Sequence, residues 1–191
     1  LDVQERDKFS TSSYEVLVTQ VQRYSWEMKA ASPNLTLPFN HPVIELIWFV
    51  RRKSFCEDNN HFNFSGFEGA DPMRSASLLL NNQTRFSDKP GHYFRTVVPY
   101  EKHSNIPDAF IYNYSFALHP EDPSPSGTCN FSRIDTVSLK LELNKGKDKS
   151  DDSAEPERQL GDGEAVEVVV FARSFNVLRF KDGLGGIGFA N

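Results

Sequence analysis

The chain has 191 residues, a formal net charge of -5 and 38% hydrophobic residues, including 16 phenylalanines. This length suffices for one domain with a substantial core, and the aromatic content excludes a disordered chain. The negative charge gives no electrostatic footprint for nucleic acid, and no apolar run approaches the ~20 residues that a membrane helix needs. We therefore expect a globular protein that neither binds nucleic acid directly nor inserts into a membrane.

The first predicted element is a short helix that Asp2 caps, with Glu5 reaching back to the cap, and it is predicted to end before Ser10. Strand-like segments with apolar residues at every second position follow. Their predicted ranges are 14–23, 34–39, 43–52, 76–81, 110–118, 134–143, 165–180 and 187–190. One further helix is predicted around 91–100, and Pro99 limits its length.

Several short strands, connections rich in Gly and Pro, and almost no helix together predict an all-β sandwich or barrel. Eight strands suit a jelly roll, which places two four-stranded sheets face to face. Periodicity alone does not distinguish a jelly roll from other sandwiches.

Three connections between the predicted strands are long. The range 119–132 is rich in proline, and the range 144–163 is polar with mixed charges. The range 53–74 holds four phenylalanines: Phe55, Phe62, Phe64 and Phe67. These rings need burial, either on the chain's own sandwich or against a neighbouring subunit.

The segment 125–135 joins a turn to a strand. Gly127 is predicted to permit the turn, and Asn130 is typical of a turn residue. Phe131 and Ile134 are predicted to anchor the chain as it re-enters the sandwich.

No pattern of residues predicts catalysis. The five histidines never form the close pair on one strand that a facial metal site uses, although a site assembled from loops stays open. Residues 183–188 match G-x-G-x-x-G, but no helix can follow to bind a pyrophosphate, so a tight hairpin is predicted. We expect no cofactor, no metal and no enzymatic activity.

Two covalent features stay open at the level of sequence. Cys56 and Cys129 are either reduced, which the spacing favours, or joined in one long-range disulfide. Of five Asn-x-Ser/Thr sequons, the one at Asn63 is the best placed for a glycan.

The segment 126–135, Ser-Gly-Thr-Cys-Asn-Phe-Ser-Arg-Ile-Asp, resembles a signature of the major capsid proteins of nucleocytoplasmic large DNA viruses. Further similarities keep the family's order along essentially the whole chain. They are Leu1-Asp2 with Glu5-Arg6 and Phe9, residues 41–48, 78–81 with Arg85-Phe86, Tyr93-Phe94 with Pro99-Tyr100 and His103, 114–118, and 176–179 with Gly185-Gly186.

The resemblance implies a double jelly roll, of which this chain is the second. Residues 1–12 would then be the connector from a preceding roll, and residues 13–191 the C-terminal roll. Three such chains would form a pseudo-hexagonal trimer that tiles an icosahedral virion, assembled in the host cytoplasm. Its partners would be neighbouring capsomers and minor capsid proteins.

The resemblance also predicts where the connections lie and which side chains form interfaces. The connections 53–74 and 119–132 would share the outer end of the capsomer, and 144–163 would lie at the opposite end. Interface energy usually comes from a few aromatic and Arg side chains. The candidates are Phe55, Phe62, Phe64, Phe67, Tyr93, Phe94, Tyr100 and Arg133.

Two other functions are compatible with a jelly roll. A carbohydrate-binding module would display a flat row of exposed aromatic rings, for which Phe is a poor choice because it has no polar group. A cupin-like metalloenzyme would hold a stoichiometric metal ion.

Overall fold

The computed structural model describes residues 2–146, 158–161 and 165–189. The helices are α1 (Val3–Thr11), α2 (Lys53–Glu57) and α3 (Val98–Lys102), with a π-helical turn at Tyr93–Val97 and 3-10 turns at Phe67–Gly69 and Phe131–Arg133. The strands are β1 (Tyr14–Met28), β2 (Asn34–Thr36), β3 (Pro42–Arg52), β4 (Met73–Leu80), β5 (Gln83–Pro90), β6 (Ile111–Ser115), β7 (Cys129–Asn130), β8 (Val137–Leu143), β9 (Lys145–Gly146), β10 (Arg158–Gln159), β11 (Val166–Lys181) and β12 (Leu184–Ile187).

Two antiparallel sheets form the sandwich. Sheet 1 has the order β1-β11-β3-β6, with β12 added to β11 and β7 added to β3. Sheet 2 has the order β2-β8-β4-β5, and β9 and β10 form a separate short ladder. These orders interleave early and late strands in both sheets, which is the jelly-roll arrangement. The predicted fold class is therefore confirmed.

The local predictions near both ends of the chain are confirmed with changed bounds. Asp2 Oδ1 accepts a hydrogen bond from the Glu5 backbone N at 2.7 Å, and Glu5 Oε2 accepts one from the Asp2 backbone N at 3.1 Å, so the capping box is complete. The helix continues to Thr11 rather than ending before Ser10. Residues 183–188 form the predicted hairpin, in which Asp182 and Gly183 have positive φ and Lys181 pairs with Leu184.

The sequence pattern does not reveal β5. This strand is polar and exposed along almost its whole length, because it is the edge of sheet 2 and only Phe86 packs on the core. The predicted strand at 187–190 is also wrong in its bounds, since β12 covers Leu184–Ile187 and only extends sheet 1.

The core lies between the two sheets and is formed by alternate residues of the strands. On β8, Leu139, Leu141 and Leu143 are buried, whereas Lys140 and Glu142 are exposed. The Trp48 ring of sheet 1 lies at the centre, completely buried. Its neighbours are the rings of Phe94, with 5.2 Å between centroids, and Tyr112, with 5.9 Å.

The junction at 125–135 folds as predicted. Gly127 has φ +149, and a Cβ there would lie 2.9 Å from the Phe116 carbonyl oxygen. Asn130 Oδ1 accepts a hydrogen bond from the Ser132 backbone N and so caps the following 3-10 turn. Phe131 is buried, and Ile134 packs against the core. Cys56 and Cys129 are both free thiols, so no disulfide joins them.

The connections divide between two ends of the sandwich. The upper end, defined here as the end where β3 stops at Arg52, holds the connection at 53–72, both ends of the connection at 91–110, and residues 144–146 after β8. Residues 147–157 and 162–164 lie outside the described residues. The lower end holds the β6–β7 connection, residues 116–128, because β6 runs downward beside β3.

The predicted placement of the long connections is therefore wrong. The ranges 53–74 and 119–132 lie at opposite ends, and 144–163 begins beside 53–74, as the pairing of Met73 with Leu143 requires. The reason is the hidden strand β5. Successive strands run in alternate directions between the two ends of the sandwich. Counting one strand too few therefore assigns every later connection to the wrong end.

Candidate assembly surfaces

Asp71 joins the connections of the upper end through its side chain and its main chain. Its Oδ1 accepts hydrogen bonds from the Tyr112 hydroxyl at 2.6 Å and from the Met73 backbone N at 2.9 Å. Its Oδ2 lies 3.4 Å from Arg95 Nε, and its carbonyl oxygen accepts from Asn144 Nδ2 at 2.8 Å. One residue thus ties together β6, the β5–β6 connection and the chain that follows β8.

Burial, together with the negative charge of Asp71, raises the pKa of Tyr112 above its ordinary value. The phenol therefore stays protonated and remains a hydrogen-bond donor to Asp71 throughout the neutral range. The upper end is consequently held by a fixed polar network rather than by loose loop contacts.

The eight predicted interface residues do not form one continuous surface. Only Phe62, at the upper end, and Tyr100, on the β5–β6 connection, expose most of their rings, at 88% and 78%. The other six are divided among half-buried positions (Phe55, Phe64 and Tyr93), the core (Phe67 and Phe94) and an exposed position at the lower end (Arg133).

Phe67 and Phe94 belong to the core of this chain. The ring of Phe94 is completely buried and lies beside Trp48. Phe67 lies beneath the Arg52 guanidinium, 4.9 Å from the ring centroid, and packs so closely on Gly146 that a Cβ there would lie 2.5 Å from its own. Since neither ring reaches the surface, we omit both from the interface proposed below.

The β3–β4 connection folds back over the outer face of sheet 1. The Phe64 ring lies 4.3 Å from the ring of Phe49, which points away from the core. Asn63 is half-buried, and its Oδ1 accepts hydrogen bonds from Ser65 N at 3.0 Å and Ser65 Oγ at 2.6 Å. Glycosylation of Asn63 stays a prediction.

A buried ionic cluster lies lower on the same outer face. The Glu45 side chain is 1% exposed and points away from the core, opposite to its neighbour Leu46. Its carboxylate accepts hydrogen bonds from Asn113 Nδ2 at 2.7 Å and Arg173 Nη1 at 2.8 Å. His103 Nε2 lies 3.1 Å from the same carboxylate.

Burial alone would raise the pKa of Glu45. Hydrogen bonds from His103 and Asn113, and the charges of His103 and Arg173, more than offset this and hold the pKa below its ordinary value. Glu45 is therefore an ionised, buried carboxylate, and such a group is stable only when its partners stay in place. The chemistry of the cluster is that of a structural ion network.

Sequence reasoning missed this cluster. A charged residue within the apolar run 43–50 is itself a signal that a buried partner exists. The partners of Glu45 come from three distant parts of the chain, however, and neither periodicity nor spacing could have identified them.

The described ranges bear on two further kinds of site, a metal site and a membrane span. Within them, no group of three or more His, Cys, Asp or Glu side chains could hold a metal ion. Among the same residues, no helix is both long and apolar enough to cross a membrane.

The sequence of the chain matches a protein family. The profile of the large eukaryotic DNA virus major capsid proteins matches residues 5–186. The chain belongs to this family. It is a family of structural capsid proteins, not of enzymes.

Individual members of the family match the whole chain. The major capsid protein of Paramecium bursaria Chlorella virus 1 is 34% identical over 230 residues, covering 100% of this chain and 52% of the relative. That of Pyramimonas orientalis virus is 33% identical, covering 100% of this chain and 47% of the relative. The chain thus spans about half the length of the relatives that it matches.

A solved structure of this family has the same fold. It is described as a quasi-atomic capsid of the same Chlorella virus and matches with a TM-score of 0.78 and 30% identity. The match covers 100% of this chain and 55% of the other. The arrangement of two sheets described above is therefore the arrangement found in a viral capsid protein of this family.

Proposed function

We propose that this chain is a jelly-roll unit of a major capsid protein that assembles as a trimer with a pseudo-hexagonal outline and tiles an icosahedral shell. The observation that supports this most directly is similarity to capsid proteins along the whole chain, combined with their strand order. Neighbouring capsomers and minor capsid proteins would be its partners, in a virion assembled in the host cytoplasm.

The chemistry of the described residues suits a structural role. The buried polar groups described above, around Asp71 and Glu45, bind one another and hold connections in place. A shell protein needs connections of fixed shape, because a neighbouring subunit must recognise the same surface in every copy.

We place the subunit contact on Phe62, at the upper end, and on Tyr100, on the β5–β6 connection. Both rings are largely exposed, and they lie on different connections, the β3–β4 and β5–β6 connections. Large exposed rings of this kind are typical anchors of protein interfaces. Half-buried Phe55, Phe64 and Tyr93 would form the rim of the contact, and Arg133 would belong to a separate contact at the lower end.

The first twelve residues would act as a connector to another roll. Helix α1 has no buried residue. It is attached to the sandwich mainly through Phe9, whose ring packs on Tyr14, with 5.1 Å between centroids, and on Phe180, with 5.9 Å. A helix attached by one ring can serve as a joint between two rigid bodies.

The alternative of a carbohydrate-binding module has less support. Among the described residues, the exposed aromatic rings belong to five separate elements or connections, namely those of Phe9, Tyr24, Phe62, Tyr100 and Phe189. A sugar platform requires neighbouring rings in one plane.

The decisive experiment combines electron microscopy with light scattering on the purified full-length protein. Hexagon-outlined trimers are expected for the unaltered protein. The double variant Phe62→Ala, Tyr100→Ala should shift the protein toward monomers at a concentration where the unaltered protein is trimeric. Leu118→Ala, which removes a side chain that is 63% exposed at the lower end, serves as the control and should leave the trimer intact.

Two results would contradict parts of this proposal. A full-length protein that stays monomeric, with no hexagonal particles at any concentration, would contradict the capsomer itself. Intact trimers in the double variant would contradict only the placement of the contact on Phe62 and Tyr100.

A further inference from the structure

His103 lies between two carboxylates that belong to different parts of the fold. Its Nε2 is 3.1 Å from Oε2 of Glu45, which is buried on β3. Its Nδ1 is 3.3 Å from Oε1 of Glu121, which stands on the β6–β7 connection. The imidazole itself is only 17% exposed. The ring therefore bridges sheet 1 to a loop at the lower end.

These two contacts are both attractive only when the imidazole carries a positive charge. A neutral imidazole has one N–H group and one lone pair, so it can donate to only one carboxylate and would direct its lone pair at the other. An imidazolium has two N–H groups and can donate to both. The contacts with Glu45 and Glu121 are thus complete only when His103 carries its second proton.

The β6–β7 connection depends on these contacts. Glu121 accepts hydrogen bonds from the Ser104 backbone N at 3.0 Å and from Ser104 Oγ at 3.2 Å. His103 and Ser104 therefore both contact the Glu121 carboxylate. Arg173, which also binds Glu45, donates a hydrogen bond to the Pro120 carbonyl oxygen. Residues 120 and 121 of the connection are held to the sheet through one shared ionic cluster, whereas Phe116 and Ala117 are held separately by a backbone hydrogen bond and by core packing.

The charges around His103 come from every element that packs on it. Glu45 approaches from β3, Glu121 from the β6–β7 connection and Arg173 from β11, where it shares the Glu45 carboxylate. Asn113 on β6 contributes a neutral amide to the same carboxylate. Two carboxylates and one guanidinium leave a net negative charge, which an imidazolium balances.

We propose that His103 is a protonation-controlled latch, which holds the β6–β7 connection (116–128) against the outer face of sheet 1 and releases it on losing its proton. The proposal does not depend on the capsid assembly proposed above, because every contact lies within one chain.

The direction of the pH response follows from the electrostatics. The hydrogen bond to Glu45 raises the pKa of His103 above its ordinary value, and burial opposes this only in part. The stability that the latch contributes is therefore fully present below about pH 6.5 and is lost as the pH rises through the raised pKa.

Acid affects the latch through its other partner. Hydrogen bonds from Ser104, its backbone N foremost, and from His103 lower the pKa of Glu121 below its ordinary value. The stability that Glu121 contributes is therefore present at any pH above the ordinary carboxylate pKa. It is lost only as the pH falls through the lowered pKa of Glu121. The latch is therefore closed at pH values between the lowered pKa of Glu121 and the raised pKa of His103.

The test is hydrogen–deuterium exchange of the full-length protein across the neutral and mildly alkaline range. Protection factors for peptides within 116–128 should fall as the pH rises through the pKa of His103, which an NMR titration measures separately. Each unit by which that pKa is raised in the closed state changes the closing equilibrium about tenfold. Peptides from β8 should keep constant protection factors.

Two variants separate the latch from general destabilisation. In His103→Gln the 116–128 peptides should exchange faster, with protection factors that no longer depend on pH in this range. His92→Gln is the control, because His92 is an exposed histidine on the β5–β6 connection, which also carries His103, and it is hydrogen-bonded to Thr96. In this variant the protection factors of 116–128 should still fall as the pH rises. The proposal is overturned if the pKa of His103 is at or below 6.5, if protection of 116–128 stays constant through the titration, or if His103→Gln keeps the transition.

Discussion

The Tyr112 hydroxyl donates a 2.6 Å hydrogen bond to Asp71 Oδ1 and so links the edge strand of sheet 1 to the chain that enters sheet 2. Tyr112 is completely buried, and its ring packs on Trp48 in the centre of the core. The polar network of the upper end is therefore anchored directly in the hydrophobic core. Connections attached in this way keep their shape even though they lie outside the sheets.

Removing this hydroxyl tests the anchor. Tyr112→Phe keeps the ring but deprives Asp71 of a donor, and a hydrogen bond to a charged group is worth about 1.5–3 kcal/mol. We expect the free energy of unfolding, measured by chemical denaturation, to fall by this amount. Tyr24→Phe, at a position that is 47% exposed, should change it by less than about 0.5 kcal/mol. Equal stability of the two variants would show that the bond contributes nothing.

Gly91 begins the β5–β6 connection where no side chain fits. A Cβ there would lie 2.3 Å from the Met73 carbonyl oxygen, which is fixed in sheet 2. Gly91→Ala should therefore lower the free energy of unfolding by about 1–3 kcal/mol, the usual cost of overpacking. Gly186→Ala is the matched control, since a Cβ at that position meets nothing within 4 Å. A melting temperature of Gly91→Ala equal to that of the control would refute the steric argument.

Leu139 lies at the centre of sheet 2 and is completely buried. Leu139→Ala should cost about 2–5 kcal/mol, because it leaves a cavity between the sheets. Leu184→Ala removes the same atoms from a side chain that is 77% exposed and should cost less than about 0.5 kcal/mol. Chemical denaturation of both variants gives the comparison, and similar losses would mean that the core is not where we place it.

The charge of Glu45 can be removed with little change in shape. Glu45→Gln leaves Arg173 and His103 without their anion, and breaking a buried ion pair costs about 3–5 kcal/mol. The exposed pair of Glu15 and Arg179, at 2.7 Å, should lose less than about 1 kcal/mol in Glu15→Gln. Thermal denaturation at neutral pH measures both. A small loss for Glu45→Gln would mean that solvent reaches the cluster.

The sequon at Asn63 gives a prediction about covalent modification. Asn63 lies between Phe62 and Phe64, so a glycan there in protein from virions and the subunit contact proposed on Phe62 exclude each other. None is expected on Asn113, which is buried and donates to Glu45 at 2.7 Å. Mass spectrometry of peptides from purified virions decides this. An unmodified Asn63 in all copies would remove it from the candidate sites.

Much of this fold could be predicted because parts of its strands alternate buried and exposed residues. β8 exposes Lys140 and Glu142 and buries the leucines between and after them, and this pattern is visible in the printed sequence. The hairpin before β12 was likewise predictable, since its Asp-Gly turn admits positive φ. Local rules suffice where the burial of each residue follows from its own strand.

The failures come from residues whose surroundings are set by distant parts of the chain. β5 is an edge strand, so its polar residues contain no apolar alternation to detect. Phe94 and Phe62 look alike as aromatic residues of long connections, yet the first is completely buried and the second 88% exposed. Only the path of each connection over the sheets decides between these outcomes.

The longest ladder of the sandwich joins β1 to β11, from Tyr14 opposite Phe180 to Met28 opposite Val166. The ribosome makes β1 long before it completes β11. Until then β1 is a long alternating strand with two unpaired edges, the kind of segment that aggregates or binds chaperones. A nascent chain that stops before residue 166 cannot form this ladder at all, so quality control during synthesis can distinguish truncated copies from complete ones before they meet a growing shell.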